Sequence, residues 1–426
     1  MAPIRRHSKI GGKEGVRIAA VGGVPPNPEG EAHYTAQVFR ALAEQVDGSI
    51  TIFAHRQHNA QDVERLADNC LVLRVTYGYH PLRRHLAPLY LWRALREFRP
   101  DVVHFQAPQK KLYGGIGGEP LLWLFRYLRR RGLPALVTLH ALWLPEDFAE
   151  LAAERKWSPR VRATLEWLYR YYLREILALV PQVNALVAGD QNPLLEEVAK
   201  AWGLPDSKLV PEPHPCHLQP LTPSDVSSAR AALGLPDARI VLAFGFVRPD
   251  KGFEYLIQAA APLVRHDSRL YVIVAGKPSG ALGQAYAEQL HTLRSSLGDP
   301  AQIVLEFGYV PDERLHTLLR ACDVLVVPYT RVMGASGPMH HALGYGKPVI
   351  ATAVGQNRGL GHVCRLVPPR DVDALREALR ELLYDAEVQH TYHQQSLRYA
   401  AHHTWHDLAR RYCADYERLT WGDGCQ

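Results

Sequence analysis

The sequence predicts an α/β protein made of two Rossmann-like, doubly wound parallel sheets. Three observations carry that expectation. Short β-branched runs alternate with helix-length stretches of mixed polarity along most of the chain. The alternation lapses once, in a proline-rich stretch near the middle, and then restarts. And 426 residues are too many for one ordinary core but suit two domains of roughly 200 residues each. Strands joined by helix-length connections pair in parallel, because a parallel neighbour needs a long crossover.

The first half opens with a strand at 16–21 (VRIAAV), closed by Gly22 and Gly23. A proline-rich loop over 25–30 leads into a helical pattern at about 32–45, and 50–54 is the next strand. Further strand signals stand at 70–75, 102–105, 135–139 and 185–188, each set apart by a helix-length segment. The stretch 204–223 carries Pro205, Pro211, Pro213, Pro215, Pro220 and Pro223. It reads as a loop and as the domain boundary. The second half then repeats the alternation: strand 240–244, helix 252–264, strand 270–275, helix 285–296 and strands 303–307, 324–327 and 349–352. Helices at 372–383 and about 405–419 close the chain. The expected organisation is a disordered basic tail at 1–15, a first domain at 16–215, a second at 216–400 and a terminal helix at 401–426.

Bulk properties exclude several classes. No apolar stretch reaches the roughly 20 residues that a membrane-spanning helix needs. The tail MAPIRRHSKIGGKEG is basic but lacks an apolar h-region, so it is not expected to be a secretory signal. Six scattered cysteines with no CxxC pair point to free thiols and a cytoplasmic protein. There is no HExxH and no Cys/His set at zinc spacing, so no metal is expected. The pairs His340-His341 and His402-His403 point to different faces of their helices. No GxGxxG opens a βαβ unit, and no GxxxxGK[ST] is present; Gly344-x-Gly346-Lys347 is followed by Pro348 and ends a helix rather than opening one.

The net charge is +6, and its arginines crowd the first half. Arg83, Arg84, Arg93, Arg96, Arg99, Arg126, Arg129 to Arg131, Arg170 and Arg174 alternate with Tyr90, Trp92, Trp123, Phe125, Tyr127, Trp167, Tyr169, Tyr171 and Tyr172. Basic–aromatic helices of this kind suit an anionic membrane surface, which places the protein peripherally on the inner face. Ordinary amphipathic helices with solvated arginines account for the same pattern. Nucleic acid is not an expected partner, for no nucleic-acid motif accompanies the charge.

The stretch from Ala335 to Thr352 (ASGPMHHALGYGKPVIAT) says most about chemistry. A turn of small residues, Ala335, Ser336, Gly337 and Pro338, opens a helix that begins with Met339. Such a turn presents backbone N–H groups and the positive end of a helix dipole to a phosphate. The Ser336 hydroxyl adds a donor, and Gly337 admits close approach. Phe244-Gly245-Phe246-Val247-Arg248-Pro249-Asp250-Lys251-Gly252 follows the first strand of the second half. There Arg248 and Lys251 are placed to hold a diphosphate and support its departure.

These segments resemble the retaining glycosyltransferases of family 4, which have the GT-B fold: two Rossmann-like domains facing across a cleft. The family's donor motif is Glu-x7-Glu ending in Glu-Ala-x-Ala-x-Gly-x-Pro-Val. Ala342, Gly346, Pro348 and Val349 match it, while His341 stands at the second Glu position and Met333 near the first. Ser336-Gly337 with Gly346-Lys347-Pro348 resembles a branch with a Ser-Gly loop in that motif's place. Lys251-Gly252 matches the family's Gly-Arg-x4-Lys-Gly loop, although the usual Arg position is Phe246 and Arg248 lies two residues on. Glu306 to Pro311 resembles the loop that packs on the nucleobase, with the backbone of Tyr309 or Val310 reading the base edge. Gly30-Glu31 stands where the family has Gly-Gly beside the donor phosphates. Asp101-Val102-Val103-His104 resembles a strand whose His is structural, and Thr138-Leu139-His140 one whose His faces the transferred sugar. The tail from His402 to Leu419 resembles the family's closing helix, which crosses back to the first domain.

The resemblance implies a retaining, metal-independent transferase that uses a nucleotide-diphosphate sugar and no cofactor. His140, Arg248 and Lys251 are then catalytic. Gly30, Glu31, Gly245, Tyr309, Val310, Ala335, Ser336, Gly337, Pro338, Met339 and His341 bind substrate. The acceptor, whether a glycan, a lipid-linked sugar or a small molecule, stays open. Two rival readings remain: a GT-B binding protein that lost activity with both glutamates, and a nicotinamide-dependent enzyme favoured by the fold alone. The only DxD, Asp371-Val372-Asp373, opens a helix, where Asp371 reads as an N-cap.

Overall fold

The computed structural model describes residues 15–27, 30–108, 111–190, 192–205, 208–331 and 334–421. The expected basic tail and the Met333 position lie outside them, apart from Gly15. The chain forms two compact units. Unit 1 comprises Met1–Ala185, Ala199–Val210 and Trp405–Gln426, and unit 2 comprises Leu186–Val198 and Pro211–Thr404. The chain therefore passes between them at 185/186, 198/199, 210/211 and 404/405, where the sequence placed single boundaries at 215/216 and 400/401.

Unit 1 is built on β1 (Arg17–Val21), β2 (Ser49–His55), β3 (Val63–Ala67), β4 (Cys70–Thr76), β5 (Val102–Gln106), β6 (Ala135–Leu139), β7 (Gln182–Val187) and β8 (Leu209–Pro213). Their order in the sheet is β3-β4-β2-β1-β5-β6-β7-β8. The pairs from β4 through β7 are parallel, and β3 runs antiparallel to β4 on the edge. β5 and β6 are buried along their whole length, as strands covered on both faces must be. The helices are α1 (Gly30–Ala43), α2 (Ala87–Phe98), α3 (Leu121–Arg130), α4 (Pro145–Glu154), α5 (Pro159–Leu179) and α6 (Leu194–Trp202).

Unit 2 contains β9 (Arg239–Phe244), β10 (Leu270–Gly276), β11 (Ile303–Phe307), β12 (Val324–Val327), β13 (Val349–Thr352) and β14 (Arg365–Val367). They lie in the order β11-β10-β9-β12-β13-β14, all parallel. Numbered within the sheet this is 3-2-1-4-5-6, the order of a dinucleotide-type doubly wound fold. Its crossovers are α8 (Phe253–His266), α9 (Gly280–Ser296), α10 (Asp312–Ala321) and α11 (Gly337–Gly344), preceded by α7 (Pro223–Ala232) and followed by α12 (Val372–Tyr384) and α13 (Ala386–His402). Separate apolar cores cover the two faces, one around Leu242, Leu325 and Met339, the other around Val241, Phe253 and Val326. The closing helix, α14 (Trp405–Trp421), belongs to unit 1.

Three expectations need correction. The proline-rich stretch is not all loop: β8 lies inside it, with Pro211 and Pro213 within a strand next to β7 at the end of the sheet's strand order, where missing N–H groups are tolerated. β3 escaped notice because VERLA is half charged and mostly exposed. Polar α13 was also passed over; its Asp385 N-cap accepts from the Glu387 and Val388 N–H groups. Asp371 caps α12 as expected, accepting from Ala374 N–H at 2.9 Å.

Candidate active site

In an open α/β sheet, ligands bind beyond the C-terminal ends of the strands where the strand order reverses. In unit 2 that point lies between β9 and β12. The loop after β9 turns at Gly245 (φ +136°), whose N–H donates to Ala275 O at 3.1 Å. It continues through Arg248 into a 3-10 turn at Pro249–Lys251. Gly252 then adopts φ +61°, and a Cβ there would lie 2.1 Å from Pro328 O, the carbonyl just past β12. No side chain fits. The Thr330 N–H donates to Asp250 O at 3.0 Å and closes the seam between the two loops. The result fixes Lys251, with its Nζ 3.6 Å from the Tyr329 ring centroid. An ammonium over an aromatic face is attracted by the negative face of the ring. Arg248 is less available than expected, because its guanidinium makes a two-pronged pair with Asp250 at 3.0 and 2.8 Å.

α11 approaches the same loop from the other side. A Cβ on Gly245 would sit 3.5 Å from Pro338 Cγ, so the helix start and the β9 loop are neighbours. His341, one turn in, lies 6.3 Å from the Phe244 ring. Gly308 N–H donates to Gly276 O at 2.9 Å and brings the following Tyr309, 77% exposed, to the same edge of the sheet, with half-buried Val310 beside it. Gly245, Lys251, Gly337, Pro338 and His341 thus gather around one strand-end region.

The α11 turn offers fewer donors than its sequence promised. Ser336 is buried and caps the helix, its hydroxyl oxygen accepting from Met339 N–H at 3.4 Å and donating to Tyr329 Oη at 3.3 Å. His340 N–H is bound to Ser336 O at 3.2 Å. Pro338 has no N–H. Met339 is withdrawn as a binding residue: its N–H is spent on the cap and its side chain is buried against Cys364 Sγ at 3.8 Å. Ser336 likewise acts through the cap, not as an open hydroxyl. The N–H of Gly337 has no partner among the described residues, and no atom lies within 4 Å of where its Cβ would be. Ala335, half-buried, precedes it. Lys347 proves structural, its buried ammonium donating to Arg320 O and Cys322 O, both at 2.8 Å.

The first-half candidates lie in unit 1. Gly30 is exposed at the first residue of α1, and Glu31 lines a small recess with Gly23, Asn27, Thr35, His55 and Gln106. His140 follows β6 and is buried, its ring edge-on to Tyr34 at 4.7 Å. Its Nε2 lies 2.6 Å from Gln106 Oε1, a carbonyl that only accepts, so Nε2 carries the proton. Gln106 Nε2 in turn donates to His104 Nε2 at 3.1 Å, and His104 Nδ1–H donates to Tyr416 Oη at 2.7 Å. Burial pushes His104 down to about 3, so His104 stays neutral, and the expectation of a structural His104 fits its position.

Two family models match the chain: one described as glycosyl transferases group 1 over residues 238–385, and one described as a glycosyl transferase 4-like domain over 29–189. A D-inositol 3-phosphate glycosyltransferase of Saccharomonospora viridis is 30% identical over 370 residues, spanning 80% of this chain and 78% of that protein. The chain belongs to the group 1 glycosyltransferases. A second such relative, from Streptomyces bingchenggensis, is 35% identical over 281 residues, or 59% of each chain. Among solved structures, sucrose-phosphate synthase from Thermosynechococcus elongatus superposes with a TM-score of 0.73 at 22% identity, covering 95% of this chain and 99% of that one. Anabaena HepE in complex with UDP gives 0.69 at 16%, covering 94% and 99%. Those likenesses establish the fold, the two Rossmann-like domains of GT-B.

Two residues of this hexosyl-class glycosyltransferase escaped the sequence reading. Tyr329 was invisible because its role comes from β12 lying next to β9, far away in the chain. The trace it left was an aromatic right after the strand VLVV. Gln106 had a better signal, a polar residue ending the buried strand VVHFQ, where apolar residues are the rule. Among the described residues, no three His, Cys, Asp or Glu side chains come together as a ligand set.

Proposed function

We propose that this glycosyltransferase moves a sugar from a nucleotide-diphosphate sugar to an acceptor hydroxyl with retention of configuration, and without a metal. The observation that carries the reading is the convergence of the clamped Lys251 ammonium, the Gly337 N–H and Gly245 at the reversal point of unit 2. A fixed cation beside the positive end of a helix suits a departing diphosphate, whose growing charge needs a partner that does not reorganise. Arg248 adds to this when it exchanges Asp250 for phosphate. In the step itself the bond between the sugar's anomeric carbon and the phosphate oxygen breaks. The acceptor oxygen attacks the same face, and its proton passes to the departing diphosphate. His341 and Met333 replace the family's two glutamates, which favours this front-face course over a covalent glycosyl-enzyme. The family resemblance assigns the transferred sugar to His140, whose tautomer is held by Gln106, and the nucleobase to Tyr309 or Val310. That solved relatives such as HepE are described with UDP supports a uridine donor first.

The test is a thermal-shift panel of nucleoside diphosphates and their sugars, followed by donor hydrolysis with and without EDTA. A ligand that binds only the folded state raises its melting temperature. One nucleotide series should stabilise the protein, and EDTA should leave turnover intact. Stabilisation without any hydrolysis or transfer would favour a binding protein instead. A strict need for added manganese or magnesium would defeat the metal-free mechanism.

A further inference from the structure

We propose that the outer face of unit 1 built by α2, α3 and the turn before them docks on an anionic phospholipid bilayer. α2 carries apolar residues on two sides. Ala87, Pro88, Leu91 and Leu95 are buried on the inner one. On the solvent side, Leu82 and Leu86 of the preceding 3-10 turn and Leu89 of α2 are 75%, 47% and 43% exposed, and Arg93 and Arg96 follow Leu89 at helical spacing. Gly115 N–H donates to His85 Nδ1 at 3.2 Å, which holds the loop bearing Ile116, 59% exposed, against the same turn. Trp123 on α3, 49% exposed, packs its ring 6.4 Å from Trp92 and stacks on Tyr127. Exposed apolar side chains grouped in this way mark an interaction surface.

Charge identifies the occupant. Arg83 and Arg84 flank the leucines, and Arg96, Arg99 and Arg131 line a groove of about 410 Å³ between the ends of α2 and α3, floored by Leu95 and Leu128. Among the described residues none of Arg93, Arg96, Arg99 and Arg131 has a carboxylate partner, whereas Arg230, Arg239, Arg314, Arg358 and Arg365 in unit 2 all do. The carboxylates nearby do not offset them, for Glu119 is spent on the Ile116 and Gly117 N–H groups and Glu97 stands alone on α2. Leucines reaching the acyl boundary, a tryptophan–tyrosine stack at headgroup depth and arginines on the phosphates match the layers of a membrane interface. Unpaired cations next to the leucines add the attraction that distinguishes an anionic leaflet from a neutral one.

Cosedimentation of the full chain with phosphatidylcholine vesicles, with and without phosphatidylglycerol, tests the proposal. Binding should favour the anionic vesicles by at least about tenfold and fall as salt is raised. Combining Leu82→Ser, Leu86→Ser and Leu89→Ser should lower partitioning by about tenfold or more at an unchanged melting temperature. Arg93→Gln with Arg96→Gln should erase the preference for phosphatidylglycerol. Failure of the wild-type chain to bind anionic vesicles would overturn the proposal, as would a leucine variant that binds like wild type. So would a wild-type dimer in sedimentation velocity that the leucine variant turns into a monomer, since a second copy would then cover the patch.

Discussion

Lys251 shows how far a single residue's surroundings decide its use. Its side chain touches the Tyr329 ring and no carboxylate among the described residues, so its charge is free for a ligand while its position is not. Lys251→Ala should therefore leave the melting temperature near wild type. It should lower donor turnover at saturating donor by at least about thirtyfold, the equivalent of a lost charge-assisted contact of about 2 kcal/mol. A purified, folded variant with near-native turnover would remove Lys251 from the chemistry. The buried histidines behave in the opposite way. His340 donates from Nδ1 to Ser336 O at 2.7 Å, stacks on His214, and is pushed down to about 4 by burial; His104 is pushed down to about 3. Both are bases held neutral in the fold, so the unfolded chain takes up the proton first as pH falls. The stability they confer is complete above about pH 6.5 and is lost on the way down towards 4. Each should cost about 2 kcal/mol by about pH 5. Chemical denaturation at several pH values checks this, and His340→Gln should flatten the slope.

At the scale of the element, α11 is the feature most open to test. An added side chain at Gly337 meets open space in the protein alone, so Gly337→Val should fold. It should remove calorimetrically measured donor binding, because the new methyls occupy the place a phosphate needs beside the helix N-terminus. Unchanged affinity would put the donor elsewhere. His341→Ala should weaken binding only modestly, since a neutral imidazole bonds a hydroxyl less strongly than a carboxylate does. The same helix marks the limit of reading by sequence. ASGPM announces a helix start, but which N–H groups the Ser336 cap consumes, and that Met339 points inward, depends on the packing of α11 against β12 and α13. Strands such as Val324–Val327 and Val349–Thr352 were legible because burial on both faces demands near-continuous apolar runs rich in β-branched residues. β3 and β8 were not, for an edge strand has no such demand and tolerates charge and proline. Gly252 and Lys251 announced themselves by local pattern. Tyr329 and Gln106 act through neighbours that only the sheet order supplies.

Across the whole molecule, neither unit is continuous in sequence. Unit 1 is completed by α14, where Tyr416 satisfies His104, Tyr412 bonds Thr138 at 3.1 Å, and Gln182 donates to Asp415 at 2.8 Å. A chain ending at Thr404 would lose the Tyr416 bond to His104 and the Tyr412 bond to Thr138, each a net contribution of about 0.5–1.5 kcal/mol. It would also expose the apolar faces against which Trp405, Leu408 and Tyr412 pack. Limited proteolysis of that truncation should digest unit 1 and spare a fragment near residues 211–404; a protease-resistant unit 1 would show that α14 is dispensable. The dependence has a consequence for birth on the ribosome. A nascent chain emerges from its N-terminus, and domains ordinarily settle in that order. Here a helix made after unit 2 belongs to the unit whose strands are made before it. Unit 1 must stay incomplete, its His104 relay open, throughout translation of nearly all of unit 2. Unit 2 can reach its native state while unit 1 still waits for α14, so a cell making this protein would have to shelter the strands of unit 1 longest.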